Sequence, residues 1–129
     1  MNKELIELQL GVRATCVVIL DGDYDKLGQT VFMPANMSDA NLYGSPLENP
    51  LFKEQIEKVS HNGKITYFVI RGMDAIPIDM QNRYIELIKN REFHGYVLPS
   101  NVIIVLTVHK KEDLKKISKD LYHFCVVAF

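Results

Sequence analysis

Three carboxylates at alternate positions, Asp21, Asp23 and Asp25, are the side chains of this 129-residue chain best spaced to hold a hard cation, because alternate acids in a tight turn can converge on one ion. The pattern stops there. Lys26 stands where a calcium loop needs its sharp-turn glycine, and Phe32 where it needs the closing glutamate. A solvated acidic turn accounts for the segment better, and a metal-dependent enzyme built on the three acids is the lesser alternative. The four histidines, His61, His94, His109 and His123, are far apart and show neither H-E-x-x-H nor paired Cys/His spacing, so no metal site is expected. Nucleophilic catalysis has little to work with. Cys16 and Cys125 lie inside apolar runs, no G-x-S-x-G elbow occurs, and Ser60, Ser100 and Ser118 sit in polar turns. The carboxylate pairs Glu54/Glu57 and Asp74/Asp79 fit surface helix and turn positions. No catalytic residue is therefore expected. His109 differs in one respect: it follows an apolar strand and belongs at a C-terminal sheet edge, where open α/β folds bind ligands, although a structural role is still favoured for it.

Composition narrows the partners. A net charge of −1 supplies no broad field for nucleic acid or an anionic membrane, and neither is expected as a partner. The one basic cluster, Lys110, Lys111, Lys115, Lys116 and Lys119, is interleaved with Glu112, Asp113 and Asp120, which favours a solvated helix face over a phosphate-binding patch. The two cysteines, without CxxC spacing, read as buried reduced thiols, not a disulfide or a zinc site. With no signal-peptide core near Glu4 and Glu7 and no run of about 18 apolar residues, the expectation is a soluble cytoplasmic protein.

The elements that must position these groups alternate between strands and helices. A short helix is expected over residues 3 to 10, and strands over Val12 to Leu20 and Thr30 to Met33. A loop with one helical turn at residues 38 to 42, capped by Ser38, precedes a helix over residues 51 to 59 that His61-Asn62-Gly63 ends. Ile65 to Ile70 is a nearly unbroken apolar strand. A helix from about Asp79 to Glu92 carries Met80, Tyr84, Leu87 and Ile88 on one face. Val102 to Val108 is another continuous strand, Glu112 to Ile117 a short helix, and Phe124 to Phe129 a last strand. Continuous apolar strands between helices imply a mostly parallel sheet buried on both faces: one three-layer α/β domain of about five strands over residues 1 to 129. Tyr24, Tyr43, Phe93 and Tyr96 are candidates for an aromatic surface, with core or lid packing the favoured alternative.

Three segments carry a family resemblance. Pro77-Ile78-Asp79-Met80-Gln81-Asn82 precedes an apolar helix, and Asn90-Arg91-Glu92-Phe93-His94-Gly95-Tyr96-Val97-Leu98-Pro99 and the apolar run from Asn101 to Thr107 follow it. In that order they resemble the core of AAA+ ATPases, most like the MoxR-like branch and its dynein-like relatives. There the same segments are the helix after the Walker B strand, a hairpin and the sensor strand. Asp39-Ala40-Asn41-Leu42-Tyr43-Gly44 is similar to an acidic-x-x-Leu-x-Gly stretch of the family. The resemblance covers about half the chain and implies a P-loop-type fold without the lid domain.

The reactive groups of that family do not follow. ATP hydrolysis needs backbone amides and a lysine around the phosphates, carboxylates for magnesium and water, and a cation against developing charge. No G-x-x-x-x-G-K-S/T occurs. The phosphate-loop position reads Asp21-Gly22-Asp23-Tyr24-Asp25, acidic where the ligand is polyanionic. Counting back from Gln81-Asn82, the resemblance puts Arg71 and Gly72 at the family's acidic pair, with Asp74 two residues beyond; it puts His109, just past Thr107, at the sensor and His123 at the arginine near the last strand. The expectation is a catalytically inactive AAA+-like domain without a cofactor. It would act through a protein partner or by self-association, and its former site comprises Asp21, Asp23, Arg71, Gly72, Asp74, Thr107, His109 and His123. The alternative is an ATP-binding or ATPase domain using ATP and magnesium, including the register in which helix 3 to 10 follows a phosphate loop.

Overall fold

A computed structural model describes residues 16 to 44 and 51 to 129. The helix expected over residues 3 to 10 and the start of the first strand lie outside them. Five strands form one sheet: β1 (Cys16–Leu20), β2 (Thr30–Pro34), β3 (Thr66–Arg71), β6 (Val102–Val108) and β7 (Cys125–Val127). Their order is β2-β3-β6-β1-β7 and every pairing is parallel. Two short strands, β4 (Glu92–Phe93) and β5 (Tyr96–Val97), pair antiparallel as the expected hairpin. His94 and Gly95, at φ 48° and 84°, make its turn, the positive-φ pair that suits the twist of a two-residue hairpin. The fold is thus of the α/β class the sequence implies, with a single five-stranded parallel sheet among the described residues.

Strand alternation sorts the core into two faces. On one face Cys16, Val18, Phe68, Ile70, Ile104 and Leu106 are buried against the helices. Those helices are α1 (Asp39–Tyr43), α2 (Leu51–Ser60), α3 (Ile78–Gln81), α4 (Ile85–Asn90) and α5 (Lys119–Tyr122). Leu42, Phe52, Ile56, Leu87, Ile88 and Leu121 are their contribution. On the other face Val17, Ile19, Tyr67, Val69, Ile103 and Val105 are buried with Leu27 and Ala128. Ser38 caps α1, its Oγ accepting from Asn41 N, as its sequence position suggests.

Three local expectations need correction. The helix expected over 79 to 92 is broken: a 3-10 turn at Asn82–Tyr84 separates α3 from α4. Arg83 and Tyr84 at the break both bond the carbonyl of Ala35, and Arg83 also reaches Met37 O at 2.7 Å and Asp39 at 2.8 Å. Burial pushes the Tyr84 hydroxyl up to about 12. The helix also stops at Asn90, because Arg91 turns left-handed at φ 55° and gives its guanidinium to the carbonyls of Pro99 and Val102 at 3.0 and 2.6 Å. The segment expected as a helix at 112 to 117 is 3-10, over Lys111–Lys116. Finally, Cys16 and Cys125 are joined in a disulfide, not held as separate thiols. β1 and β7 are adjacent with these two residues directly in register, their Cα atoms 4.8 Å apart, within the span that a disulfide bridges. Sequence separation of 109 residues hides that contact, and the compartment reading that leaned on reduced thiols loses its support. No helix among the described residues is long and apolar enough to cross a membrane.

Gln81 is the buried polar pin of the helical layer. Fully buried, it donates to Ile76 O at 3.1 Å and Lys116 O at 2.8 Å and accepts from Ser118 N at 2.6 Å. It therefore ties α3 to the segment leading into α5. Replacing it by leucine strands three backbone groups, each costing about 1 kcal/mol or more when buried unpaired. Urea unfolding of Gln81→Leu should show a loss of about 3 kcal/mol, and a loss below about 1 kcal/mol would contradict this role.

Candidate functional site

The N-terminal edge of the sheet is closed by amides. Gln29 bonds Val59 O, Asn62 and Thr66, and Asn101 bonds Ser60 O and Lys64 O. The C-terminal edge is open among the described residues, and there the strand ends bring the charged groups together. Asp21 continues β1, Arg71 ends β3 and Thr107 lies in β6 between them. By alternation all three fall on the face of Ile19, Val69 and Val105. β1 and β3 are separated by β6, so roughly 10 Å divides their backbones, a gap an arginine can span. Arg71 Nε donates to Asp21 Oδ1 at 3.0 Å and Nη2 to Oδ2 at 2.9 Å. Thr107 Oγ1 donates to the same Oδ1 at 2.8 Å and accepts from Gly72 N at 2.9 Å. Gly72 needs its glycine, since the chain turns there at φ 79°.

Tyr24 and Phe32 complete the arrangement. The Arg71 guanidinium lies over the Tyr24 ring at 4.1 Å and faces Phe32 at 5.9 Å, a contact favourable to a cation. In the sequence Tyr24 is a candidate for an aromatic surface but Phe32 is not singled out; its register opposite Val69, on the face of Arg71, depends on strand pairing, and it is 52% exposed. Below them a cleft of about 480 Å³ opens between Asp21, Phe32, Asn36, Arg71, Ile76 and His109.

Asp74 does not continue β3, as strand spacing would place it; it sits in a 3-10 turn at Met73–Ala75. Its carboxylate, almost fully shielded, meets His109 Nδ1 at 2.9 Å. Asp23 pairs with Lys26 at 2.9 Å and is not among the side chains lining the cleft. His123 is elsewhere, in a separate groove beside Lys119 and Tyr122. The structure thus brings together Asp21, Arg71, Gly72, Asp74, Thr107 and His109 and leaves Asp23 and His123 apart. Among the described residues no three His, Cys, Asp or Glu side chains converge as a metal site. The aromatic candidates also separate: Phe93 is buried and stacks on Tyr43 at 5.4 Å on the helical face, far in sequence and packing from the Tyr24 group.

The arrangement holds a neutralised cation and anion side by side at the sheet edge. The Arg71 hydrogen bond holds the Asp21 carboxyl below its ordinary 3.8, helped by Thr107 and opposed by partial burial. The Asp74 hydrogen bond and charge hold the His109 imidazole above its ordinary 6.5.

No protein-family model matches the chain, and no curated protein matches it. Two solved structures of NtrX from Brucella abortus, one in complex with ADP, align with 96% and 97% of the chain at 12% identity, with TM-scores of 0.48 and 0.47. The chain covers 36% of each.

Two outcomes follow from the charges. In a double-mutant cycle of Asp21→Asn and Arg71→Gln, read by urea unfolding at neutral pH, the coupling should be about 1 kcal/mol; 36% exposure of Arg71 limits it by solvent screening. Because the folded carboxyl titrates below the unfolded one, this stability is whole above the ordinary 3.8 and disappears as pH falls through the depressed value. A cycle giving no coupling at neutral pH would contradict the pairing. The His109–Asp74 pair runs the other way: its contribution is whole below the ordinary 6.5 and is lost as pH rises through the elevated value. With the imidazole 56% exposed the increment is small, a few tenths of a kcal/mol. NMR titration should give His109 a higher midpoint than His109 in Asp74→Asn, and equal midpoints would refute the contact.

Proposed function

We propose that this chain is a degenerate AAA+-like domain that does not hydrolyse ATP and acts by binding protein, through self-association or an intact AAA+ partner. The observation that carries the reading is the bidentate Arg71–Asp21 pair, braced by Thr107, across the ends of β1 and β3. In the family that the sequence resembles, the end of the first strand leads into a cationic phosphate loop and the third strand ends in acids that hold magnesium. Here the signs are exchanged: the acid follows β1 and the cation ends β3. A triphosphate approaching the end of β1 meets a carboxylate, and magnesium approaching the end of β3 meets a guanidinium. Each of those groups already has its partner, so opening the site for nucleotide would break a charge-assisted pair.

A protein partner is supported by the exposed rim around this pair, where Phe32 offers an apolar surface beside the stacked Arg71. Aromatic and arginine side chains are enriched where proteins bind one another. The rival reading, an ATP-binding domain, makes an opposite forecast for thermal stability. Saturating nucleotide at about a hundred times its Kd would stabilise the fold by about 2.7 kcal/mol. Thermal melting with millimolar Mg-ATP should show no shift, and phosphate release should stay at the level of buffer. A saturable rise in melting temperature, or turnover abolished by Arg71→Ala, would overturn the proposal in favour of the rival.

A further inference from the structure

The lysine cluster borders a groove. The 3-10 segment Lys111–Lys116 and α5 enclose a groove of about 650 Å³, a volume that accommodates several side chains of a ligand. Its floor is apolar, from Leu114, Ile117 and Tyr122, and its rim carries Lys111, Lys115 and Lys119. Tyr122 is 44% exposed, one of the few large apolar side chains left so open. The nearby acids do not cancel this rim. Asp113 is engaged by Lys116 at 3.0 Å, and Glu112 is the single carboxylate lining the groove. Among the described residues Lys111, Lys115 and Lys119 have no ion-pair partner. His123 closes the end of the groove beside Tyr122.

We propose that this groove docks a short acidic, amphipathic segment of a partner protein. An apolar side chain of the segment would enter between Leu114, Ile117 and Tyr122, while flanking carboxylates meet the three unpaired ammonium groups. Charge complementarity selects the acidic partner, and a floor of two aliphatic side chains, Leu114 and Ile117, beside Tyr122 selects a protein over a nucleic acid. A polynucleotide would find phosphate partners here but few flat rings on which to stack its bases. Anchors in an apolar pocket ringed by charged contacts are the usual layout of such recognition. The groove shares no lining residue with the Asp21–Arg71 cleft, so its failure would leave the reading of that site standing.

Fluorescence anisotropy on the whole chain tests this with four labelled probes. They are a peptide alternating glutamates with leucines and phenylalanines, a peptide of equal charge with serines for the apolar residues, a single-stranded oligothymidylate, and phosphatidylserine vesicles. The first peptide should bind in the micromolar range and the other three at least about tenfold more weakly, a gap of about 1.4 kcal/mol. Lys111→Glu with Lys115→Glu, and separately Tyr122→Ser, should each weaken the first peptide by about tenfold. All three positions are exposed, so melting temperatures should not move and a folding defect would be visible as such. Lys111→Gln with Lys115→Gln gives a milder pair that should fall between wild type and the charge reversal. Absence of binding, equal binding of the serine peptide, tighter binding of the oligonucleotide or vesicles, or indifference to these substitutions would each overturn the proposal.

Discussion

One ion pair joins the strand ends at the open edge of this sheet. Arg71 reaches from the end of β3, over the central strand, to the carboxylate that follows β1, and Thr107 of that central strand holds the same oxygen. Both charges are satisfied with bidentate geometry, the strongest form of such a contact. The guanidinium is also covered by Tyr24. A charged ligand that uses either member must first compete with the other.

The rest of the fold keeps that contact in place. The parallel order β2-β3-β6-β1-β7 sets β3 and β1 on either side of β6, and the two-residue period of the strands turns Asp21, Arg71 and Thr107 to one face. Gly72 ends β3 in a left-handed turn, which releases Asp74 from the strand line and lets it meet His109. On the helical face Gln81, Arg83 and Arg91 bond carbonyls that the irregular connections would otherwise leave unsatisfied. These are the places where helical periodicity gives way to 3-10 and left-handed backbone.

Much of this was readable in the residues themselves. The apolar runs at Ile65–Ile70 and Val102–Val108 are strands because burial on both faces leaves no room for alternation of polar residues, while the hairpin turning at His94-Gly95 was implied by the family resemblance alone. The pairing of Asp21 with Arg71 was less visible, since it depends on strand order: two residues 50 positions apart meet only once β6 is known to lie between their strands. Their opposite signs and shared parity were the available signal. The Cys16–Cys125 bond escaped for the same reason, as nothing local says that β7 pairs with β1. The break at Asn82–Tyr84 escaped because the apolar spacing of Met80, Tyr84, Leu87 and Ile88 fits one continuous helix; only the tertiary partner, Ala35 O, distinguishes the broken form.

In the proposed reading, an architecture resembling a nucleotide-hydrolysing one retains its sheet and exchanges the signs of its site. The resulting surface is neutral within the cleft, aromatic at its rim and basic in a separate groove beside α5, a set of features suited to proteins more than to polyphosphate. The most direct observation of the central contact is the Arg71 side-chain Nε–H resonance in a nitrogen-proton NMR spectrum. The account predicts a distinct, slowly exchanging signal that collapses into the solvent-exposed arginine envelope in Asp21→Asn and stays unmoved as Mg-ATP is added. A signal that is already averaged in the wild-type chain, or one that shifts saturably with nucleotide, would contradict it.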